Sequence, residues 1–389
     1  MITYNKTWLS NTIILRLAEQ EHQQKTISDA ELRDIKEKYP VGFYTPNFFI
    51  RVGSFIVTIV ISVGIERLLN LVLKDFGFNP HYGSTILMGL FNYAALLIIV
   101  GKKFHYRSGV DDALLWLSFM WLVIAFNWSL AIGPLYEDQA LSLFIFSFSL
   151  ILTLRFSDMI MSLVCYLSVF ALAYLSMQKT GLFGIAIMPF ILILLSAISN
   201  WLISRSVNHR KTQYYTNTLI ILQVISLIML YASGNYYLVK ELGDRLNNTA
   251  SESIPFSWLF WMWTIAVPVL YLYRGLLRKD VICLRVGLIL CFATAVTFRN
   301  YYHLTPLELV FITSGIVLLL IYYYLTRYLK KPKHSITYQQ LSGGDLFEQL
   351  QIESLIISET SSGTGDAPAN IVTQMGGGKF GGGGAGGKF

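Results

Sequence analysis

The feature that most constrains this chain is a succession of apolar runs, each close to the length that crosses a bilayer. Ten can be placed, at about 48–66, 84–101, 112–133, 139–154, 158–177, 181–203, 214–233, 256–273, 280–297 and 304–326. A hydrocarbon core needs roughly 20 apolar residues of helix to span it, and most of the runs reach that. The fourth is short, and a re-entrant or strongly mismatched segment is the alternative there. Only 14% of residues are charged and the mean hydropathy is +0.52, whereas soluble domains carry about 25% charge. So apolar a chain cannot bury its side chains in one water-soluble core. Lipid offers the backbone no hydrogen bonds, and the alternating ten-residue strands of a β-barrel are absent. The expected fold is all-α, a polytopic membrane helical bundle of about ten transmembrane helices.

The basic residues supply an independent constraint. With a cytosolic N-terminus and ten spans, the cytosolic segments hold 20 Lys and Arg, among them Arg16, Lys102, Lys103, Arg107, Arg155, Arg205, Arg274, Arg278 and Arg327. The opposite loops hold 6, namely Arg67, Lys74, Lys179, Lys240, Arg245 and Arg299. Positive residues concentrate on the cytosolic side of membrane proteins. Losing the short fourth span would invert every loop after it, so the bias also supports that span. The net charge of +7 is spread between apolar runs and forms no basic patch, which argues against nucleic acid as a partner. The topology expected from this pattern is multi-pass with both termini cytosolic and the lipid bilayer as the principal partner; a bacterial cytoplasmic (inner) membrane is what the resemblances given below imply.

Four regions follow along the chain. Residues 1–47 read as a cytosolic helical segment. Ser10 or Asn11 is placed to cap a first helix bearing Ile13, Ile14 and Leu17. Ser28-Asp-Ala-Glu31 fits a capping box, in which hydroxyl and carboxylate satisfy each other's backbone amides, and Tyr39-Pro40 ends that helix. A hairpin packed on the membrane face and a partner-docking module are the two readings of this segment. The polar, charged start shows no cleavable signal peptide. Residues 48–326 hold the ten spans. Residues 327–374 combine a basic stop, an amphipathic helix at 345–357 and a Ser/Thr/Gly/Pro-rich linker. Residues 375–389 are a glycine-rich tail with Lys379, Phe380, Lys388 and Phe389 as candidate partner-docking anchors and charges. The alternative for the tail is a flexible linker.

Two resemblances rest on these segments. The tail, Gly-Gly-Gly-Lys-Phe-Gly-Gly-Gly-Gly-Ala, resembles the C-termini of bacterial TPM-domain membrane proteins, although no TPM domain is present. The helical N-terminus with Ile27-Ser-Asp-Ala-Glu31 and Tyr39-Pro40, the ten spans, and Phe298-Arg-Asn-Tyr-Tyr302 before the last one are similar to bacterial multipass membrane proteins of the domain-of-unknown-function class. The second resemblance implies location and topology and no chemistry.

Candidate sites are few. Arg285 lies about a third of the way along the ninth run. It either snorkels to the interface near Lys279 and Asp280 or faces the bundle to meet an anion. Arg51, nearer a span end, reads as an interface anchor. A polar elbow at 298–308 groups Arg299, His303 and Glu308 with Tyr301 and Tyr302. Thr305-Pro-Leu-Glu308 there also fits a helix start. Asn92, Asn127, Asn200 and Gln223 are expected to bond between helices, and Pro189 and Pro268 to kink or break their spans. Cys165, Cys283 and Cys291 lie in apolar runs without metal spacing. No phosphate loop, HExxH or GxSxG motif occurs, so no cofactor is expected. The leading expectation is a non-enzymatic scaffold recruiting cytosolic or membrane proteins through its termini. The alternative is a transporter or flippase for a small or lipidic substrate. A membrane enzyme would need His303, Arg299 and Glu308 to converge.

Overall fold

A computed structural model describes residues 2–23, 26–75, 80–130, 137–179, 182–207, 210–247, 255–278 and 280–302, with scattered positions from 312 to 327. Twelve α-helices are described: α1 Lys6–Gln23, α2 Asp29–Lys38, α3 Phe48–Asp75, α4 Pro80–Lys103, α5 Val110–Leu130, α6 Glu137–Phe156, α7 Met159–Gln178, α8 Leu182–Val207, α9 Thr216–Gly234, α10 Tyr236–Asn247, α11 Ser257–Arg278 and α12 Val281–Tyr302. Among the described residues there is no strand, only an isolated bridge between Tyr44 and His105. Nine of the described helices are long and apolar enough to cross a membrane. The chain is an all-α bundle with the architecture of a multi-pass membrane protein. The tenth run, 304–326, falls largely outside the described residues, as do the amphipathic segment and the tail.

Short connections force sequential helices to run antiparallel. The principal pairs are α4 with α5, α6 with α7, α8 with α9 and α11 with α12. α3 lies against α4 and α5, and α9 packs on α7, α11 and α12. The short fourth run becomes a full span, α6, of 20 residues. Apolar side chains dominate the outer surface, as along α3, where Ile56, Val60, Ile61 and Leu68 are exposed. Buried positions are often small and polar, including Ser62, Ser84, Ser118, Ser149, Ser196, Ser226 and Thr264. This inversion is what lipid demands. Tails solvate apolar surface as well as a helix does, so helices associate through close packing and polar contacts. Many of these hydroxyls bond back to their own helix, as Ser196 Oγ does to Leu192 O at 2.7 Å. Others cross between helices: Ser62 Oγ to Asn92 Oδ1 at 3.1 Å joins α3 to α4, and Asn200 Nδ2 to Ser226 Oγ at 3.0 Å joins α8 to α9. α11 and α12 approach so closely that a Cβ on Gly275 would lie 2.8 Å from Leu284 N.

The structure corrects the sequence reading at several points. Asn5, not Ser10 or Asn11, starts α1; its Oδ1 accepts from Thr7 N at 2.9 Å and Trp8 N at 3.3 Å. Ser10 and Asn11 lie a turn further in and bond to Tyr214 and to Pro40 O. α3 does not stop at the Glu66-Arg67 pair. No Gly or Pro interrupts it there, Glu66 is buried against Asn70, and the helix runs on to Asp75. At about 1.5 Å per residue it outreaches the hydrocarbon core, so charges in its last turns need not sit in lipid. Pro189 and Pro268 lie within unbroken helices. The polar stretch after α9 folds into α10, begun by Asn235, whose Oδ1 accepts from Leu238 N at 3.2 Å. Tyr236 and Val239 of α10 bury against Phe260. The expected elbow is helical through Tyr302, so Arg299 belongs to the last turn of α12.

The capping box at α2 is present. Ser28 N donates to Glu31 Oε2 at 2.8 Å, and Glu31 N donates to Ser28 Oγ at 3.3 Å. These contacts hold the Glu31 carboxyl below its usual range. A depressed carboxyl stabilises the helix above its ordinary pKa and loses that contribution as pH falls through the folded value. Ser28→Ala is therefore expected to fray the first turn of α2 at pH 7, read as several-fold faster amide exchange at residues 29–32. Acidification below the usual glutamate range should have the same effect on the unaltered chain.

Candidate functional site

The N-terminal segment is built into one end of the bundle. Thr3 N donates to Arg155 O at 2.8 Å, and Tyr4 and Leu9 join a core with Leu96, Val100, Leu115, Leu152 and Phe156. The Tyr4 ring meets Tyr106 at 5.0 Å and Phe156 at 6.1 Å, both edge-on. Trp8 packs on Phe43 and Phe104. Ser10 Oγ reaches Tyr214 OH at 2.9 Å. Tyr44 N and O pair with Phe104 O and Tyr106 N, so the link from α2 to α3 lies along the link from α4 to α5. Residues near 3, 44, 106, 156 and 214 thus gather at the same end. That is the end where the sequence places the basic loops, and it requires an even number of crossings between each pair of these links.

Beneath α1 is a cavity of about 730 Å³, lined by Arg16 and Glu19 of α1, Arg51, Val52 and Phe55 of α3, Arg107 and Gly109 of the α4–α5 link, Asp111, Asp112 and Trp116 of α5, and Asp158. Pockets that hold small ligands are typically about 300–1,000 Å³. Its walls carry apolar and charged groups side by side.

Local geometry explains how the charges are held. The link 104–109 turns sharply, with φ of 55° at Phe104, 51° at Arg107 and 86° at Gly109. Such values are rare outside glycine, so the turn must be held from elsewhere. Asp111, fully buried, holds it: Oδ2 accepts from Arg107 N at 2.8 Å, and Oδ1 accepts from Ser108 N at 2.7 Å and Ser108 Oγ at 2.8 Å. Tyr4 OH adds a longer contact to Oδ2 at 3.5 Å. Burial, reinforced by the Asp111 charge, drives the Tyr4 phenol well above its ordinary pKa and keeps it a donor. His105 Nδ1 meets Ser108 Oγ at 2.7 Å. In this chain the serine stands in the middle with its proton aimed at Asp111, so it is not activated as a nucleophile.

The neighbouring Asp112 takes two bonds from Arg51, Nε at 3.2 Å and Nη2 at 2.8 Å, both to Oδ2. Arg51, in the first turn of α3, is therefore an ion-pair partner, a role that the interface-anchor reading did not include. Asp158 caps α7 by accepting from Met161 N at 2.8 Å. Burial pushes its carboxyl up, opposed by the α7 amides and the Arg107 charge. The Trp116 indole also lowers the Asp158 carboxyl, more than Arg107 does, although its buried Nε1 finds no partner at hydrogen-bonding geometry. Ser157, at φ 52°, ties this corner to α9 by donating to Tyr214 O at 3.0 Å and accepting from Thr218 Oγ1 at 3.1 Å.

The residues singled out from sequence lie elsewhere. Arg285 is half-buried in the second turn of α12, which Asp280 caps through Cys283 N at 3.1 Å. Arg299 is half-buried at the other end of the same helix, roughly 21 Å away at about 1.5 Å per residue. The two do not form one site. His303, Glu308, Lys379, Phe380, Lys388 and Phe389 lie outside the described residues. The 730 Å³ cavity is not lined by Arg285, Pro189, Pro268, Asn92, Asn127 or Asn200. The adjacent aspartates that open α5 are the signal that sequence reading passed over.

Fold and site together define a multi-pass helical membrane protein with a charged cavity, walled in part by α1, at one end of its bundle. No family model, curated protein or solved structure matches the chain.

Proposed function

We propose that the protein is a transporter or flippase of a bacterial cytoplasmic membrane, and that the cavity beneath α1 receives the polar head of an amphiphilic substrate. The observation carrying this reading is the composition of the cavity wall. Arg16, Arg51, Arg107, Asp112 and Asp158 surround one space with Val52, Phe55 and Trp116. Val52 belongs to the largely apolar outer surface of α3, which offers an alkyl chain a route from lipid while its head meets charge. The basic loops at this end support a cytosolic orientation. Labelling of introduced cysteines tests it. Lys38→Cys should react only after permeabilisation, and Gly243→Cys of α10 in intact cells; the reverse pattern refutes the orientation.

Function is tested by translocation of a fluorescent phospholipid in proteoliposomes. The full-length protein should accelerate it over empty vesicles, and Val52→Trp, which fills the cavity from its lipid-facing wall, should remove most of the gain. Equal rates with and without protein would reject this reading. A scaffold that recruits partners through its termini is the second reading. It is favoured by α2, which has no buried residue and displays both charges.

A further inference from the structure

We propose that Arg16 of α1 and Arg107 of the α4–α5 link clamp an oxyanion in the cavity, the phosphate of a lipid headgroup or free inorganic phosphate. This rests on reading the cavity as a ligand site and names what that site recognises.

The inference follows from which charges in the wall are already satisfied. Asp111 is saturated by backbone amides and Ser108. Asp112 is paired with Arg51. Asp158 caps α7. Glu19 is paired with Lys36 at 3.0 Å. Arg16 and Arg107 form no ion pair among the described residues, yet both line the same space. The Arg107 guanidinium lies 5.6 Å from the Tyr106 ring centre, and its backbone holds a φ of 51° fixed through the Asp111 carboxylate. After burial, the Arg107 charge is the strongest influence lowering the Arg16 pKa, so the two cations repel each other across the cavity.

Glu19 acts on Arg16 and Arg107 on Asp158 through space, but neither guanidinium is bonded to a carboxylate among the described residues, so both forks have donors to offer an anion that joins them. Each guanidinium is a planar fork that binds oxyanions through paired, charge-assisted hydrogen bonds. Phosphate has enough oxygens to engage two forks at once. Phe48 and Val52 in the same wall offer an acyl chain an apolar surface beside the head.

The test uses full-length protein in neutral detergent and native mass spectrometry. The probes are phosphatidic acid, diacylglycerol with the same acyl chains, and inorganic phosphate as competitor. Phosphatidic acid should be retained over diacylglycerol. Arg16→Gln and Arg107→Gln should each weaken its retention roughly tenfold or more and leave diacylglycerol unchanged, while Arg16→Lys, which keeps the charge, should lose less. Displacement by millimolar phosphate would mark free phosphate as a ligand, and resistance to it would mark the lipid-borne group; either fits the clamp. Equal retention of phosphatidic acid and diacylglycerol, or retention unaffected by the Gln variants, would overturn the clamp and leave the cavity as an amphiphile site. Retention of none of the three probes would overturn both.

Discussion

Gly109→Ala is expected to be the most damaging single-methyl change in the protein. A Cβ at this position would lie 2.0 Å from Arg51 O and 2.9 Å from Arg51 C, and the residue has a φ of +86°. The obstacle is the backbone of α3, which cannot rotate aside as a side-chain tip would. Either α5 moves away from α3, parting Arg51 from Asp112, or the link 104–109 refolds. A destabilisation of about 4 kcal/mol or more is expected from steric conflict combined with a left-handed backbone. Size-exclusion chromatography and thermal unfolding in detergent would show it as lost monodisperse protein. Gly64→Ala in α3, where an added Cβ meets nothing within 4 Å, should instead be neutral or slightly stabilising. A Gly109→Ala protein that purifies and melts like the unaltered chain would mean that α3 and α5 do not touch here.

Asp111→Asn is expected to have the second largest effect, although it changes one atom. The carboxylate accepts from Arg107 N, Ser108 N and Ser108 Oγ at 2.7–2.8 Å. An amide keeps one acceptor oxygen and turns its NH₂ toward a donor. A buried backbone N–H is then left facing another N–H, at a cost of about 3 kcal/mol. Because this carboxylate fixes the link whose Tyr106 meets Tyr4 edge-on, the loss should spread to the N-terminal segment. Thermal unfolding should drop by several degrees, and trypsin should cut after Lys6 much faster. Tyr4→Phe removes only a 3.5 Å contact and should change both readouts little. Equal sensitivity of the two variants would show that the phenol, not the carboxylate, secures this end.

The features legible in the sequence were those set by local rules. Nine of the ten expected spans followed from apolar length, and α6 was among them because the charge pattern required it even though its run looked short. The Ser28–Glu31 box was visible because its spacing alone dictates the bonds. The site was not legible, for a physical reason. Arg51 and Asp112 are 61 residues apart, and Tyr4 and Asp111 are 107 apart; neither pair has a spacing that helix periodicity would reveal. Arg285 drew attention because a charge inside an apolar run is conspicuous, whereas Asp111, Asp112 and Asp158 sit at helix starts, where acids are ordinary. Charges at span ends were weighed only by sign and side, and that sets aside the possibility that they meet. α10 escaped because it is short, polar on one face and flanked by loop-forming residues.

The proposed role of α1 is to cover a cavity that receives the head of an amphiphile. It is tested most directly by a cryo-electron microscopy map of the full-length protein in nanodiscs containing an anionic phospholipid. The expected map has α1 docked through Tyr4 and Trp8, with headgroup density between Arg16 and Arg107 and an acyl chain leaving past Val52. A map with the same helices but with α1 lifted from the bundle, or with the cavity closed by its own side chains, would contradict it.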